Sequence, residues 1–179
     1  HHWALYGDYD ARQAFELAHA CVYAAFTGAP SDECRRAEEL GVAAGDRDAQ
    51  ALAVSRGAGV LVWALQFELA RTEALRAMAL SALRPDSYAF RGAFLVLGGL
   101  AIELGQYDAA NLQLAYALAL SVAAGDLELA SFCHQSLARS LGFLGDLDAA
   151  QGHAERALAD ARALHDINAE VFSYWVIGD

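Results

Sequence analysis

The stretch GQYDAANLQLAYALALSVAAGD begins at Gly105, and GDLDAAQGHAERALADARALHD begins forty residues later at Gly145. This forty-residue step constrains the fold more than any other feature, because a fixed period of this size marks stacked supersecondary units. The step extends beyond the two stretches. Asp46, Asp86, Asp126 and Asp166 stand in it, and so do Ala37, Ala77, Ala117 and Ala157. Ala18, Ala58, Gly98 and Ala138 form a third set, all small. Ala70, Ala110 and Ala150 form a fourth, with Pro30 in the first repeat.

Each repeat carries two helical patterns. In the third, Phe90, Phe94, Leu97, Ala101 and Leu104 follow the spacing of one apolar helix stripe. A break at Gly105-Gln106 follows, then a second stripe of Ala110, Leu114, Ala117 and Leu118. The fourth repeat has Leu137, Leu141 and Leu144, a break at Gly145-Asp146, then Ala150, Ala154, Ala157, Leu158 and Ala161. Glycine after a helix tolerates the left-handed backbone that closes the carbonyl end. The recurrent Asp is placed to accept from free amides at the next helix start, a cap whose loss costs about 1 kcal/mol. The small residues at 18, 58, 98 and 138 let two helices of a hairpin approach closely.

The spacing predicts an all-α chain, one domain over residues 1–179, with hairpins at 9–44, 47–83, 87–123 and 127–164 and a terminal helix within 167–179. In the first repeat Thr27-Gly28-Ala29-Pro30 replaces the tight turn, and Ser31 is expected to cap a helix that starts late. Two prolines in 179 residues and a 56% hydrophobic composition suit long helices around a sizeable core.

Charge excludes some partners. The net charge is −11 and every cation is arginine. An acidic surface repels phosphate backbones and anionic membranes, so no direct nucleic-acid or membrane partner is expected. The longest apolar run, Ala93 to Ile102, contains two glycines and falls short of the roughly 20 residues that a spanning helix needs. The amino end lacks the basic-then-apolar pattern of a signal peptide. Cys21, Cys34 and Cys133 are odd in number and scattered, which predicts free thiols and a cytoplasmic location.

Leu97-Gly98, Gly105-Gln106-Tyr107, Ala110 and Ala117-Leu118, with Leu137-Ala138, Gly145-Asp146-Leu147, Ala150 and Ala157-Leu158, resemble the tetratricopeptide repeat. The second repeat keeps Ala58, Ala70 and Ala77 but has Leu65 at the turn glycine, and the first departs further. The common repeat is shorter. The forty-residue form is similar to repeat regions of large bacterial regulators, including LuxR-type activators of the maltose-regulator kind and some diguanylate cyclases. The resemblance implies a right-handed α-α superhelix of about four hairpins plus a terminal helix. It also implies a regulatory segment of a longer chain, with which the apolar end EVFSYWVIGD agrees.

The same resemblance implies which positions line the concave wall. These include Phe15, His19 and Tyr23 in the first repeat, Trp63 in the second, Leu95 and Glu103 in the third, and Phe132, Arg139 and Phe143 in the fourth. None of the wall positions is Lys or Asn, so the carboxylate clamp of chaperone-binding repeats is absent. Aromatics and glycines suggest an apolar groove for a partner helix or peptide.

Catalytic and cofactor chemistry find no support. Gly98-Gly99 and Gly57-Ala58-Gly59 fall inside predicted helices rather than after a strand. His19 and Cys21 are two apart, Cys133 and His134 adjacent, and neither spacing makes a metal site. Cys34 has no evident base, and Glu38-Glu39 and Asp8/Asp10 read as solvated charges. The sequence therefore points to a non-enzymatic protein- or peptide-binding module without cofactor or metal. The alternative is a spacer that dimerises through exposed ends.

Overall fold

The structure, a computed structural model, describes residues 32–177. Eight helices cover them: α1 (Asp32–Ala43), α2 (Arg47–Trp63), α3 (Phe67–Leu80), α4 (Tyr88–Glu103), α5 (Tyr107–Ala123), α6 (Leu127–Leu144), α7 (Leu147–Leu164) and α8 (Ile167–Ile177). No strand occurs among the described residues. The chain divides into two compact units after Val96, within α4.

The joints share a backbone solution that recurs every twenty residues rather than every forty. Gly45, Gly105, Gly125 and Gly145 all take a positive φ. Leu65 (φ 59°) and His165 (φ 54°) take it too, in the same register. At each of these six joints the next amide reaches back to the carbonyl five residues earlier. Examples are Asp46 to Gly41 at 2.9 Å, Gln66 to Leu61 at 2.9 Å and Asp166 to Ala161 at 3.0 Å. A left-handed residue closes the helix and the reversed bond satisfies its orphan carbonyl.

Leu65 meets this requirement at a cost, since a non-glycine residue in left-handed backbone gives up about 1–2 kcal/mol. Its side chain is 71% exposed, so it buries little in return. Leu65→Gly should raise stability by about 0.5–1 kcal/mol in denaturant unfolding, after subtracting glycine's extra freedom in the unfolded chain. Lower stability would mean that the side chain holds the joint by contact.

Position 85 belongs to the same register, but proline holds φ near −65° and cannot turn left-handed. The chain instead makes two successive turns, Arg84 amide to Ser81 carbonyl at 2.8 Å and Ser87 amide to Arg84 carbonyl at 2.9 Å. The expected cap at Asp86 is thereby displaced by one residue. Ser87 Oγ accepts from the Phe90 amide at 3.3 Å, while Asp86 faces Arg84 at 3.4 Å and its carbonyl accepts from Arg91. The other repeat aspartates cap as expected: Asp46, Asp126 and Asp166 accept from Ala49, Leu129 and Ala169 at 2.9, 3.0 and 3.1 Å.

In the amino-terminal unit α2 packs against both α1 and α3. Ala37, Leu52 and Ala53 form a buried cluster with Tyr88 against it, and Cys34 packs with Val60. Arg47 donates to the Leu80 and Ala79 carbonyls at 2.9 and 3.3 Å, covering the end of α3. Glu38, expected to be merely solvated, takes a two-pronged bond from Arg76 at 2.6 and 2.9 Å and another from Gln50 at 3.2 Å. The Arg76 bond holds its carboxyl below the usual range. Cys34 is disulfide-bonded, contrary to the free-thiol expectation, whereas Cys133 is buried and outside any disulfide; Cys21 lies outside the described residues. An odd count leaves room for one bridge beside one free thiol, and spacing cannot tell the two cases apart. Cys34 therefore withdraws its support from a reducing compartment.

In the carboxyl-terminal unit α6 packs against α5, α7 and α8, and α7 also packs against α8. Ala117, Ala154, Ala157 and Ala161 are buried along the second helices, and Leu114, Leu129 and Leu137 fill between them. Gly98 is the small residue against which Leu114 closes: a Cβ there would lie 2.5 Å from Leu114 Cγ. Gln135 is buried and donates to the Ala169 carbonyl and Ser173 Oγ at 3.2 and 3.3 Å, joining α6 to α8. The expected stripe on α4 is shifted. Before the division Ala89 and Ala93 are buried, with Phe90 and Phe94 half-buried and edge to face at 5.4 Å; beyond it Leu100 and Ala101 are buried and Leu104 is exposed. Closely approaching helices take small side chains at the centre of contact and leave aromatics to its margin. No helix among the described residues is long and apolar enough to cross a membrane.

Candidate functional site

The expected wall residues fall into three groups. Phe15, His19 and Tyr23 lie outside the described residues. Trp63, the last residue of α2, and Leu95, on α4, belong to the amino-terminal unit; Trp63 is 57% exposed and Leu95 half-buried. Glu103, Phe132, Arg139 and Phe143 belong to the carboxyl-terminal unit. Leu52, Ser55, Gly92, Ile102 and Gln135, on the same helices, are buried. The outermost residues of the pattern, toward the helix ends, are the ones that reach solvent.

Helical spacing aligns Phe132, Arg139 and Phe143 along α6. Arg139 donates from Nη2 to Glu103 Oε1 near the end of α4. One turn further on, the Phe143 ring stacks on Tyr107 at the start of α5, with centroids 5.1 Å apart and planes 20° apart. Between these contacts Ser140 Oγ donates to the Tyr107 carbonyl at 3.3 Å. One face of α6 thus grips the α4–α5 joint by an ion pair, a hydroxyl bond and a ring stack.

The grip leaves capacity unused. Phe143 remains 60% exposed although stacked. The Arg139–Glu103 pair is partly open to water, and Arg139 Nε is buried with no partner among the described residues. A Cβ at Gly99 or Gly142 would meet nothing within 4 Å, so the helix surface beside the pair is low. The arrangement offers an aromatic face next to a guanidinium that already holds one carboxylate. That chemistry suits contact with a side chain or helix of a partner. Among the described residues no group of three or more His, Cys, Asp or Glu side chains converges on a point where a metal could sit.

Two features escaped the sequence reading. Tyr107 belongs to the turn pattern in the sequence, and in the structure its ring is the partner of Phe143. His134, beside Cys133 in the sequence, meets His153 across the hairpin, with Nδ1 atoms 2.8 Å apart. The signal was available, since the two histidines stand at comparable distances on either side of Gly145 and an antiparallel hairpin brings such positions together. No family model matches the chain, and no curated protein matches it.

Proposed function

We propose that the chain is a protein- or peptide-binding module of the tetratricopeptide kind, a solenoid of helical hairpins that serves as the sensory or scaffolding region of a larger bacterial regulator and performs no catalysis. The observation that carries this reading is the joint repeated every twenty residues, closed in the same way at six positions whether Gly, Leu or His occupies it. Such regularity fits an array of equivalent hairpins, each needing its neighbour to bury its apolar side.

The binding surface is assigned within the carboxyl-terminal unit to the α6 face of Phe132, Arg139 and Phe143, with Glu103 beside it. Trp63 and Leu95 are assigned as contacts of the amino-terminal unit. The ligand would present an apolar side chain to Phe143 and a carboxylate able to compete with Glu103 for Arg139. An acidic chain surface makes nucleic acid a poor partner. A cytoplasmic site of action goes with the regulator reading alone, because the thiols no longer argue for it.

Panning a displayed peptide library against the whole chain tests the assignment. Recovered peptides should bind Phe143→Ala and Trp63→Ala proteins about fivefold more weakly, roughly 1 kcal/mol per anchor. Equal affinity for folded wild-type and variant chains would remove these residues from the site. A second reading, a dimerising spacer, is favoured by one observation: Ile167, Val171 and Tyr174 form a stripe on α8, with Ile167 75% exposed. Light scattering that shows a monomer at every concentration would dispose of it.

A further inference from the structure

We propose that His134 and His153 form a proton-responsive clasp between α6 and α7, which closes that hairpin when the rings are neutral and releases it when both are charged. The geometry is specific. The two Nδ1 atoms face each other at 2.8 Å, the ring centroids are 5.0 Å apart and the planes are tilted by 40°. Both residues are half-buried. The contact lies in the hairpin where Ser131 Oγ donates to the Ala157 carbonyl at 3.3 Å, so it bridges helices that are already closely packed.

At 2.8 Å one Nδ1 must carry a hydrogen and the other a lone pair, so the neutral pair makes one hydrogen bond. A first added proton can sit on the remote nitrogen of the donor ring and leave the bond intact. A second must go to the accepting Nδ1, which removes the bond and sets two cations face to face.

The neighbourhood offers little relief. On α6 the other charged residues are Glu128, near its start, and Arg139, which is engaged with Glu103. On α7 Arg156 acts on His134 with the same sign as a second proton, and Asp160, at 3.7 Å from Arg156, answers that arginine. The other charged residues of α7 are Asp148, Glu155 and Arg162, of which Glu155 accepts from Gln151 and Arg162 bonds Glu170. Asp108 is the only acidic or basic residue of α5, and Glu170 the only one of α8. Burial is the largest cause that depresses both imidazoles, with His153 and then Arg156 adding to it at His134, whose value falls to about 4. Arg156 also makes the spot unfavourable for a divalent cation, so the pair is assigned to protons and not to a metal.

The sign follows from linkage. With imidazoles depressed in the folded state, the unfolded chain binds more protons at acid pH. The clasp therefore contributes fully above the ordinary imidazole value near 6.5, and its contribution is lost as pH falls toward about 4. The proposal does not depend on the binding reading, and neither ring belongs to the α6 face assigned there.

Hydrogen exchange read along α6 and α7 of the whole chain, corrected for intrinsic rates, tests the clasp together with nitrogen NMR of the imidazoles. Protection of these helices should fall about tenfold or more between pH 7 and pH 5, the change that one unit of proton linkage produces. The His134→Gln/His153→Gln protein should change by less than about twofold over the same range. Both rings should stay neutral well below pH 6.5. Equal loss of protection in wild type and double variant would overturn the proposal. So would two rings that titrate independently near 6.5 with protection unchanged. If the double variant does not fold, the wild-type ring titration and exchange profile decide alone.

Discussion

Leu114→Ala should cost the carboxyl-terminal unit about 3 kcal/mol, the middle of the range for emptying a fully buried leucine site. Leu114 is completely enclosed, and its side chain closes over the bare backbone of Gly98. A Cβ at Gly98 would fall 2.5 Å from Leu114 Cγ and 2.7 Å from Cδ2, so glycine forms the socket that the leucine occupies. Gly98→Ala alone should therefore destabilise through overpacking by roughly 1–3 kcal/mol, partly offset by about 1 kcal/mol of helix propensity. The double change is the informative one. The methyl added at position 98 occupies space that the shortened side chain vacates, so the two costs should fall short of additivity by about 1 kcal/mol. Denaturant unfolding of the four proteins measures the cycle. Additive losses would show that the two residues do not share the space.

The repeat was legible because its signals are local. A glycine that stops a helix and an aspartate that caps the next sit within a residue or two of their targets, and Asp46, Asp126 and Asp166 each cap as the sequence implied. The twenty-residue register of the joints was hidden because it is a property of backbone shape and not of residue type. Leu65 and His165 adopt the conformation that Gly45 and Gly105 adopt, and nothing in a leucine announces a positive φ. Pro85 shows the converse. It breaks the register, moves the cap from Asp86 to Ser87, and does so by a ring constraint that could have been applied in advance.

The candidate site was read less well, because pairing across helices depends on contacts between distant positions. Arg139 and Glu103 were each named, but their bond follows from how α6 lies on the α4–α5 joint, which periodicity does not encode. Phe143 is exposed and stacks on Tyr107, a contact between helices that the sequence pattern does not show. Polar character alone does not place a residue at the surface, as Ser55 and Gln135 show. They lie buried, and Gln135 is held by partners on α8. A polar side chain can enter a core when a backbone carbonyl waits there, and a one-dimensional pattern does not record such carbonyls.

Gly41→Ala should destabilise the amino-terminal unit by about 2 kcal/mol, although the repeat pattern makes it look harmless. Positions 41, 81, 121 and 161 are Gly, Ser, Ser and Ala, all buried, and Ser81 and Ser121 simply return their hydroxyls to the carbonyls of Ala77 and Ala117 at 2.6 and 2.8 Å. By that comparison a methyl group at 41 should fit. The packing of α1 on α2 says otherwise, since a Cβ at Gly41 would lie 2.7 Å from the Gln50 amide nitrogen and 3.1 Å from its Cα. Those atoms are backbone inside a helix and cannot rotate away, so the collision must be relieved by moving α1. Overpacking of this kind costs roughly 3 kcal/mol, from which about 1 kcal/mol of helix propensity is regained. Gly152→Ala supplies the contrast: it too lies within a helix, but its added methyl would meet nothing within 4 Å, so the propensity gain should appear undiminished as greater stability. Thermal unfolding of both proteins separates the two cases. If Gly41→Ala were as stable as wild type, the α1–α2 approach would have to be looser than the backbone places it, and the small-residue register would then reflect composition and not contact.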